Sequence, residues 1–309
     1  MARDPIKLNG TVWKDWLSSQ EASVPHLADV EDVTERVTRI LGGNPGSMQL
    51  QGTNTYLVGS GSDKILIDTG EGKPLWIENV IKLLEERDID IIYVLLTHWH
   101  GDHTQGVPDL IAYNPAYTDR IYKNNPDPGQ LPIADGQVFA VKGATIRAVH
   151  TPGHATDHMC FLLEEENALF TGDNILGHGY SVEEDLGEYL RSLKKTKSLK
   201  CAKGYPAHGI KIENLPAKIE QYIRHKEFRE QQVLEALPSR KNGGGVTVPD
   251  LLKRLHGDLS AEVMELALEP FINQVLWKLA EEKRVGFARV RGNRQWFLKE
   301  RGTRVAASA

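Results

Sequence analysis

Leu96-Thr97-His98-Trp99-His100-Gly101-Asp102-His103 decides how the rest of this 309-residue chain is read. The apolar run Ile91-Ile92-Tyr93-Val94-Leu95-Leu96 leads into it and predicts a buried strand. The strand then empties into three histidines and one aspartate within six positions. Imidazole and carboxylate are ligands for zinc and other borderline first-row metals. Four such groups this close point to a metal site whose other ligands lie elsewhere in the chain.

Downstream, strand-like runs keep ending in the same way. Thr145–Val149 leads to His150-Thr151-Pro152-Gly153-His154, and Ala168–Thr171 leads to Gly172-Asp173-Asn174. Gly204-Tyr205-Pro206-Ala207-His208-Gly209 reads as a Gly/Pro loop that offers one more histidine. Candidate ligands on four successive loops suggest one edge of a β-rich core, where loops converge. Seven ligands suit two metals, since a catalytic zinc needs about three protein ligands plus a water position. His98, His100 and His154 make one site, Asp102, His103 and His208 the other, with Asp173 bridging. Two ions about 3.5–4 Å apart acidify a shared water into a hydroxide nucleophile near neutral pH.

Further strands are expected at Arg36–Leu41, Asn54–Gly59, Lys64–Asp68, Gln137–Val141 and Met159–Leu163, with helices at Pro74–Arg87 and from Gly106. Asp68 closes its strand and is expected to support the ligand loops by hydrogen bonding. Asn124–Pro132 reads as a loop, and Glu183–Lys203 as one basic helical stretch. Past residue 210 the pattern changes to a charged helix at Pro216–Leu237, a break at Gly243-Gly244-Gly245 and a short helix from Val248. A helical stretch from Ser260 to Glu281, interrupted by Pro270, and a hairpin over Val285–Leu298 complete the outline of a winged helix. Trp13, Trp16 and Leu17 predict a short docking helix within an N-terminal extension, residues 1–34.

Composition narrows the partners. Apolar residues at 40% and charged residues at 26% describe an ordinary globular protein. A net charge of −5 gives no global electrostatic case for nucleic acid. No apolar run reaches membrane-spanning length, so no membrane partner is expected. Two cysteines, Cys160 and Cys201, are too few for a disulfide framework and read as plain residues. The start of the chain lacks an apolar signal core, and Asp4, Asp15 and Glu21 argue against a transit peptide; the expected address is cytoplasmic.

Thr97-His98-Trp99-His100-Gly101-Asp102-His103 resembles the HxHxDH signature of the metallo-β-lactamase superfamily. Thr151–His154, Thr171–Asp173 and Pro206–Gly209 match its later motifs in order. The resemblance implies an αββα sandwich of the α/β class over residues 35–212, metals at one edge, and a small C-terminal winged-helix-like α+β region at 213–309. Asn44-Pro45-Gly46, Leu50–Tyr56 and Glu164–Asn167 look like the lactamase-β-like protein 2 branch. Gly106–Ile111, Asp135–Phe139, Gly172–Gly179 and Gly204–Gly209 look like fungal thioesterases of the atrochrysone carboxyl carrier-protein type.

That likeness implies a metal-dependent hydrolase, holding two Zn2+ or else Mn2+, that cuts the acyl thioester between a polyketide and the acyl carrier domain of a non-reducing polyketide synthase. Asp102 is then the residue assigned as proton donor or acceptor. A thiolate with a pKa near 8.5 leaves with little acid help. The alternative is the single-strand RNA endonuclease activity that the wider branch implies; the net charge and the absence of an aromatic-basic stripe argue against it. A glyoxalase-type or general thioester hydrolase also remains open. His150, His158 and His178 read as supporting or pocket residues rather than ligands. The basic run Arg191, Lys194, Lys195, Lys197, Lys200 and Lys203 reads as a solvated face, with docking of an acidic carrier as the sharper reading.

Overall fold

The computed structural model describes residues 24–46, 48–240, 244–258 and 268–299. The chain divides into two compact units at Ile223/Arg224, inside one long helix.

The first unit is a sandwich of two sheets. One sheet runs in chain order: β1 (Val30–Asp32), β2 (Val37–Leu41), β3 (Asn54–Val58), β4 (Asp63–Ile67), β5 (Asp90–Leu95), β6 (Ile121–Lys123) and β7 (Leu131–Pro132). It is antiparallel as far as β4 and parallel from β4 onward. The other has the order β12-β11-β10-β9-β8: β8 (Val138–Val141), β9 (Ala144–His150), β10 (Met159–Leu163), β11 (Ala168–Gly172) and β12 (Lys203–Pro206). Only its β11/β12 pair is parallel.

Period-two alternation assigns the faces. Tyr56, Val58, Ile65 and Ile67 point inward and meet Ile146, Phe161, Phe170 and Tyr205 of the other sheet. Leu57, Leu66 and Val94 point outward and are covered by Trp76, Val80 and Leu84 of α1 (Pro74–Arg87). The short α2 (Gly101–Thr104) carries ligands, and α3 (Val107–Tyr113) adds Leu110 to the same outer layer. On the other side, α4 (Leu186–Ser198) buries Leu186, Tyr189, Leu190 and Leu193, and its Asp185 cap accepts the Glu188 N–H at 2.8 Å. The outcome is the helix–sheet–sheet–helix layering expected from the ligand motifs.

Direction, more than composition, places the site. β4 and β5 end together in one sheet and β9, β11 and β12 end together in the other, as the parallel β4/β5 and β11/β12 pairs and the two antiparallel steps through β10 require, and the residues that follow them meet. Each is followed by a loop carrying Asp68, His98–His103, His154, Asp173 or His208.

Four readings need correction. The basic helix is only Leu186–Ser198, and Lys203–Pro206 is the buried strand β12, not a loop. Its backbone pairing with β11 outweighs the turn preference of Gly204 and Pro206. Asn124–Pro132 is a loop only as far as Gln130, because Leu131–Pro132 pairs with β6 at a sheet edge, where a proline is tolerated. Val30–Asp32, within the expected extension, is the edge strand β1. The expected helix around Trp13 and Trp16 lies outside the described residues, as do residues 260–267 of the stretch expected at 260–281.

The second unit takes the rest of α5 (Leu215–Ala236), then α6 (Val248–His256), α7 (Glu269–Glu281) and the hairpin β13 (Val285–Val290) and β14 (Asn293–Leu298). α7 carries Pro270 in its first turn, which needs no N–H from that position. Three aromatic rings gather around one arginine here. Hairpin register sets Phe287 opposite Trp296, and Trp277 of α7 packs 5.6 Å and 5.4 Å from their rings. The Arg294 guanidinium lies 4.7 Å from the Trp277 ring and 4.9 Å from the Phe287 ring. The three rings are dispersed in sequence, so no stripe was legible there. Among the described residues, no helix is long and apolar enough to cross a membrane.

Candidate metal centre

All seven sequence-selected residues come together, as two groups: His98, His100, His154 and Asp173; and Asp102, His103 and His208. Within each group the donor atoms lie within 4.8 Å of one another. In the first, His98 Nε2 is 2.8 Å from His100 Nδ1, and His154 Nε2 is 3.2 Å and 3.1 Å from those two nitrogens. In the second, Asp102 Oδ2 is 3.5 Å from His103 Nε2 and 3.3 Å from His208 Nε2. Asp173 reaches both. Its Oδ2 is 3.6 Å from His154 Nε2 and 3.5 Å from His103 Nε2, and its Oδ1 is 3.2 Å from His208 Nε2.

The far nitrogens explain why the near ones are available. His154 Nδ1 donates to the Val182 carbonyl at 2.8 Å, with Ser181 Oγ at 3.2 Å. His103 Nδ1 donates to Asp68 Oδ2 at 2.8 Å. His98 Nδ1 donates to Thr97 Oγ1 at 2.9 Å, and that hydroxyl donates to Asp68 Oδ2 at 2.9 Å. His208 Nδ1 faces the Gly52 carbonyl at 3.5 Å. These acceptors engage the Nδ1 side of each ring so that its Nε2 faces the centre, the outer-shell pattern of metal-ligating histidines. His103 Nε2 and Asp173 Oδ1 are buried without a hydrogen bond of good geometry. Buried polar atoms left so call for a partner, and a cation fits this donor set.

The electrostatics divide the groups. Burial, then the charges of neighbouring histidines, holds His98 well below the usual imidazole range. Burial also lowers His100 and His154. In the second group burial opposes charge but loses. Asp173 and Asp68 raise His103 well above its ordinary value, and Asp173 and Asp102 raise His208 to about 9. Burial likewise pushes Asp102 up, but His208 and His103 outweigh it and bring it down to about 2.

Residues that sequence reading missed complete the frame. Thr97 N donates to Asp68 Oδ1 at 2.8 Å. Asn44 and Thr53 exchange two hydrogen bonds, and Thr53 Oγ1 donates to Asp102 Oδ2 at 3.4 Å. Asn54 Nδ2 donates to the Pro206 and Gly209 carbonyls, both at 2.9 Å, and so holds the His208 loop. The only signal for them was their place in the quoted motifs.

His158 supports rather than ligates: its Nε2 accepts the Asp173 N–H at 3.1 Å. Gly172 makes room for it, since a Cβ there would sit 2.5 Å from His158 Nε2, and its φ is +50°. His150 turns to the Thr156 carbonyl at 3.2 Å, and His178 is half-buried beyond the cluster residues. Cys160 and Cys201 are buried, and burial pushes both thiols up to about 11, which removes them as nucleophiles. Of the basic run, Arg191, Lys195 and Lys197 pair with Glu188, Asp135 and Glu220.

A sheet sandwich with a seven-residue His/Asp cluster at one edge is the architecture of a metallo-hydrolase. A family model described as the metallo-beta-lactamase superfamily matches residues 48–208, and the chain belongs to that superfamily. It is 60% identical over 296 residues to the lactamase-like protein aptB of Emericella nidulans, covering 94% of this chain and 96% of that one. It is 61% identical over 295 residues to the lactamase-like protein adaB of Aspergillus niger, covering 92% and 93%. Among solved structures, a beta-lactamase domain protein from Burkholderia ambifaria superposes with a TM-score of 0.70 at 17% identity, over 90% of this chain and 95% of that one.

Proposed function

We propose that this protein is a two-metal thioesterase that hydrolyses the acyl thioester between a polyketide and the acyl carrier domain of a non-reducing polyketide synthase, releasing the free carboxylic acid. The observation that carries the metal-hydrolase reading is the hydrogen-bond-braced donor set, with two orphaned buried atoms facing its centre. The choice of thioester rests on the likeness of the secondary motifs to fungal carrier-protein thioesterases and on the high identity to fungal lactamase-like proteins.

His98, His100 and His154 would hold one ion, Asp102, His103 and His208 the other, and Asp173 would bridge them. Two Zn2+ ions, or Mn2+, held there would activate a water and polarise the thioester carbonyl. Everything else is done by the chain. Asp68 and Thr97 lock His103 and His98 in their rotamers. Asp102, kept ionised by His208 and His103, accepts a proton or orients one. The thiol released needs no buried general acid, because its thiolate is already a good leaving group. A cytoplasmic address, shared with the synthase, accompanies this reading.

The specific observation favouring the RNA endonuclease alternative is the Trp277–Phe287–Arg294 surface of the second unit. The deciding experiment gives the zinc-loaded protein an acyl-loaded carrier domain and, separately, single-stranded RNA. Acyl release without RNA cutting is expected. Metal-dependent RNA cutting with no acyl release overturns the proposal.

A further inference from the structure

We infer that Trp99 is a substrate-contacting platform that selects thioesters with a flat aromatic acyl group, and that the buried Lys123–Asp157 pair is there to position it. The inference rests on the thioesterase reading for its substrate and on geometry for the rest.

Trp99 sits between two cluster histidines. His98 is fully buried, yet Trp99 is 51% exposed, and its ring centre is 4.4 Å from that of His100 at an interplanar angle of 70°. An isolated exposed apolar residue needs no explanation. This one has company on the other ligand loops. Val182, whose carbonyl accepts the His154 Nδ1–H, is 36% exposed. Ile210, two residues after His208, is 40% exposed. Each of these exposed apolar side chains lies on a segment that also carries a cluster residue or a support of one, which is where a substrate's apolar group would be received.

The mounting of Trp99 is costly. Its backbone N donates to Asp157 Oδ1 at 3.4 Å. Asp157 and Lys123 are each only 3% exposed, and the Lys123 ammonium is 3.7 Å from Asp157 Oδ2 and 3.1 Å from Asp127. Burying two charges seldom stabilises a fold more than apolar packing does. Lys123 ends β6 and Asp157 lies in the loop after His154, so the pair ties strand, second ligand loop and Trp99 backbone together. Neither residue belongs to the metal-ligand groups. A pair spent on holding the backbone of an exposed indole makes sense if the indole must present a fixed face. A fixed indole beside a polar centre favours a flat π-system, which stacks on it offset or edge-on.

The test compares 2-naphthoyl and acetyl thioesters of N-acetylcysteamine on the zinc-loaded full-length protein. Trp99→Ala should raise KM for the naphthoyl substrate about tenfold, the loss of one aromatic contact, while acetyl kcat/KM stays within about twofold. Trp99→Phe should keep most of the discrimination. Asp157→Ala should lower it with the acetyl rate preserved, whereas Asp157→Asn, which retains an acceptor for Trp99, should largely rescue it. Equal losses on both substrates, or none on either, overturn the platform. If the wild type cleaves neither thioester, the thioesterase reading fails, and calorimetry with 2-naphthoate decides separately on the platform. Weaker binding to Trp99→Ala supports it, and unchanged binding overturns it.

Discussion

The two halves of the candidate metal centre are built on opposite electrostatic plans. His98, His100 and His154 form a cluster that burial keeps neutral, with lone pairs ready. Asp102, His103 and His208, joined by Asp173, form a cluster in which imidazolium and carboxylate groups compensate one another. The first half must only admit an ion. The second must exchange protons for one. One cluster in sequence, His98 to His103, would therefore supply two sites with different dependence on pH.

The largest effect should come from the residue both halves share. Asp173→Ala should lower kcat about a thousandfold, since a metal site supplies several kcal/mol of transition-state stabilisation. Metal analysis should show loss from both halves; a variant that keeps two ions and its rate would break the pairing of the halves. Asp68→Ala comes next. It removes the acceptor of His103 and, through Thr97, the anchor of His98, so affinity should fall about 10–100-fold, chiefly in the second half. Chelator competition measures this, and an equal fall in both halves would argue that Thr97 relays as much as Asp68 holds.

pH should separate the halves more gently. The raised pKa values of His103 and His208 mean that their protons, held through neutral pH, compete with the ion, so affinity of the second half falls as pH drops from about 9. The lowered values in the first half delay the same competition to below the usual imidazole range. Between pH 8 and pH 6 the second half should empty first, with protons released on refilling in calorimetry; parallel loss would contradict the two plans. Ser181→Ala should do least. The Val182 carbonyl still fixes His154 at 2.8 Å, so affinity of the first half should change by less than about threefold. A larger change would show that the hydroxyl, not the carbonyl, sets the tautomer.

The same contrast shows what was legible beforehand. The seven cluster residues stood out because imidazoles and carboxylates at successive strand ends have no common structural reason to recur. Their supports did not. A carbonyl such as that of Val182 or Gly52 has no side-chain signature, and Thr97 or Thr53 resembles any strand threonine until Asp68 and Asp102 are placed beside it. The layers followed from alternation, as in Ile65-Leu66-Ile67. β12 was hidden because Gly204 and Pro206 read as turn residues, and only its parallel pairing with β11 makes them a strand. Phe287 and Trp296 meet through hairpin register and Trp277 joins them from α7, a meeting no local pattern announces.

The most direct test of the central claim is a titration of metal-stripped protein with Zn2+ while acyl release from a loaded carrier domain is followed. The shared Asp173 and the two donor groups predict that activity climbs as the second equivalent binds and then levels. Full activity at one equivalent would contradict the two-metal site, and no acyl release at any ratio would contradict the thioesterase.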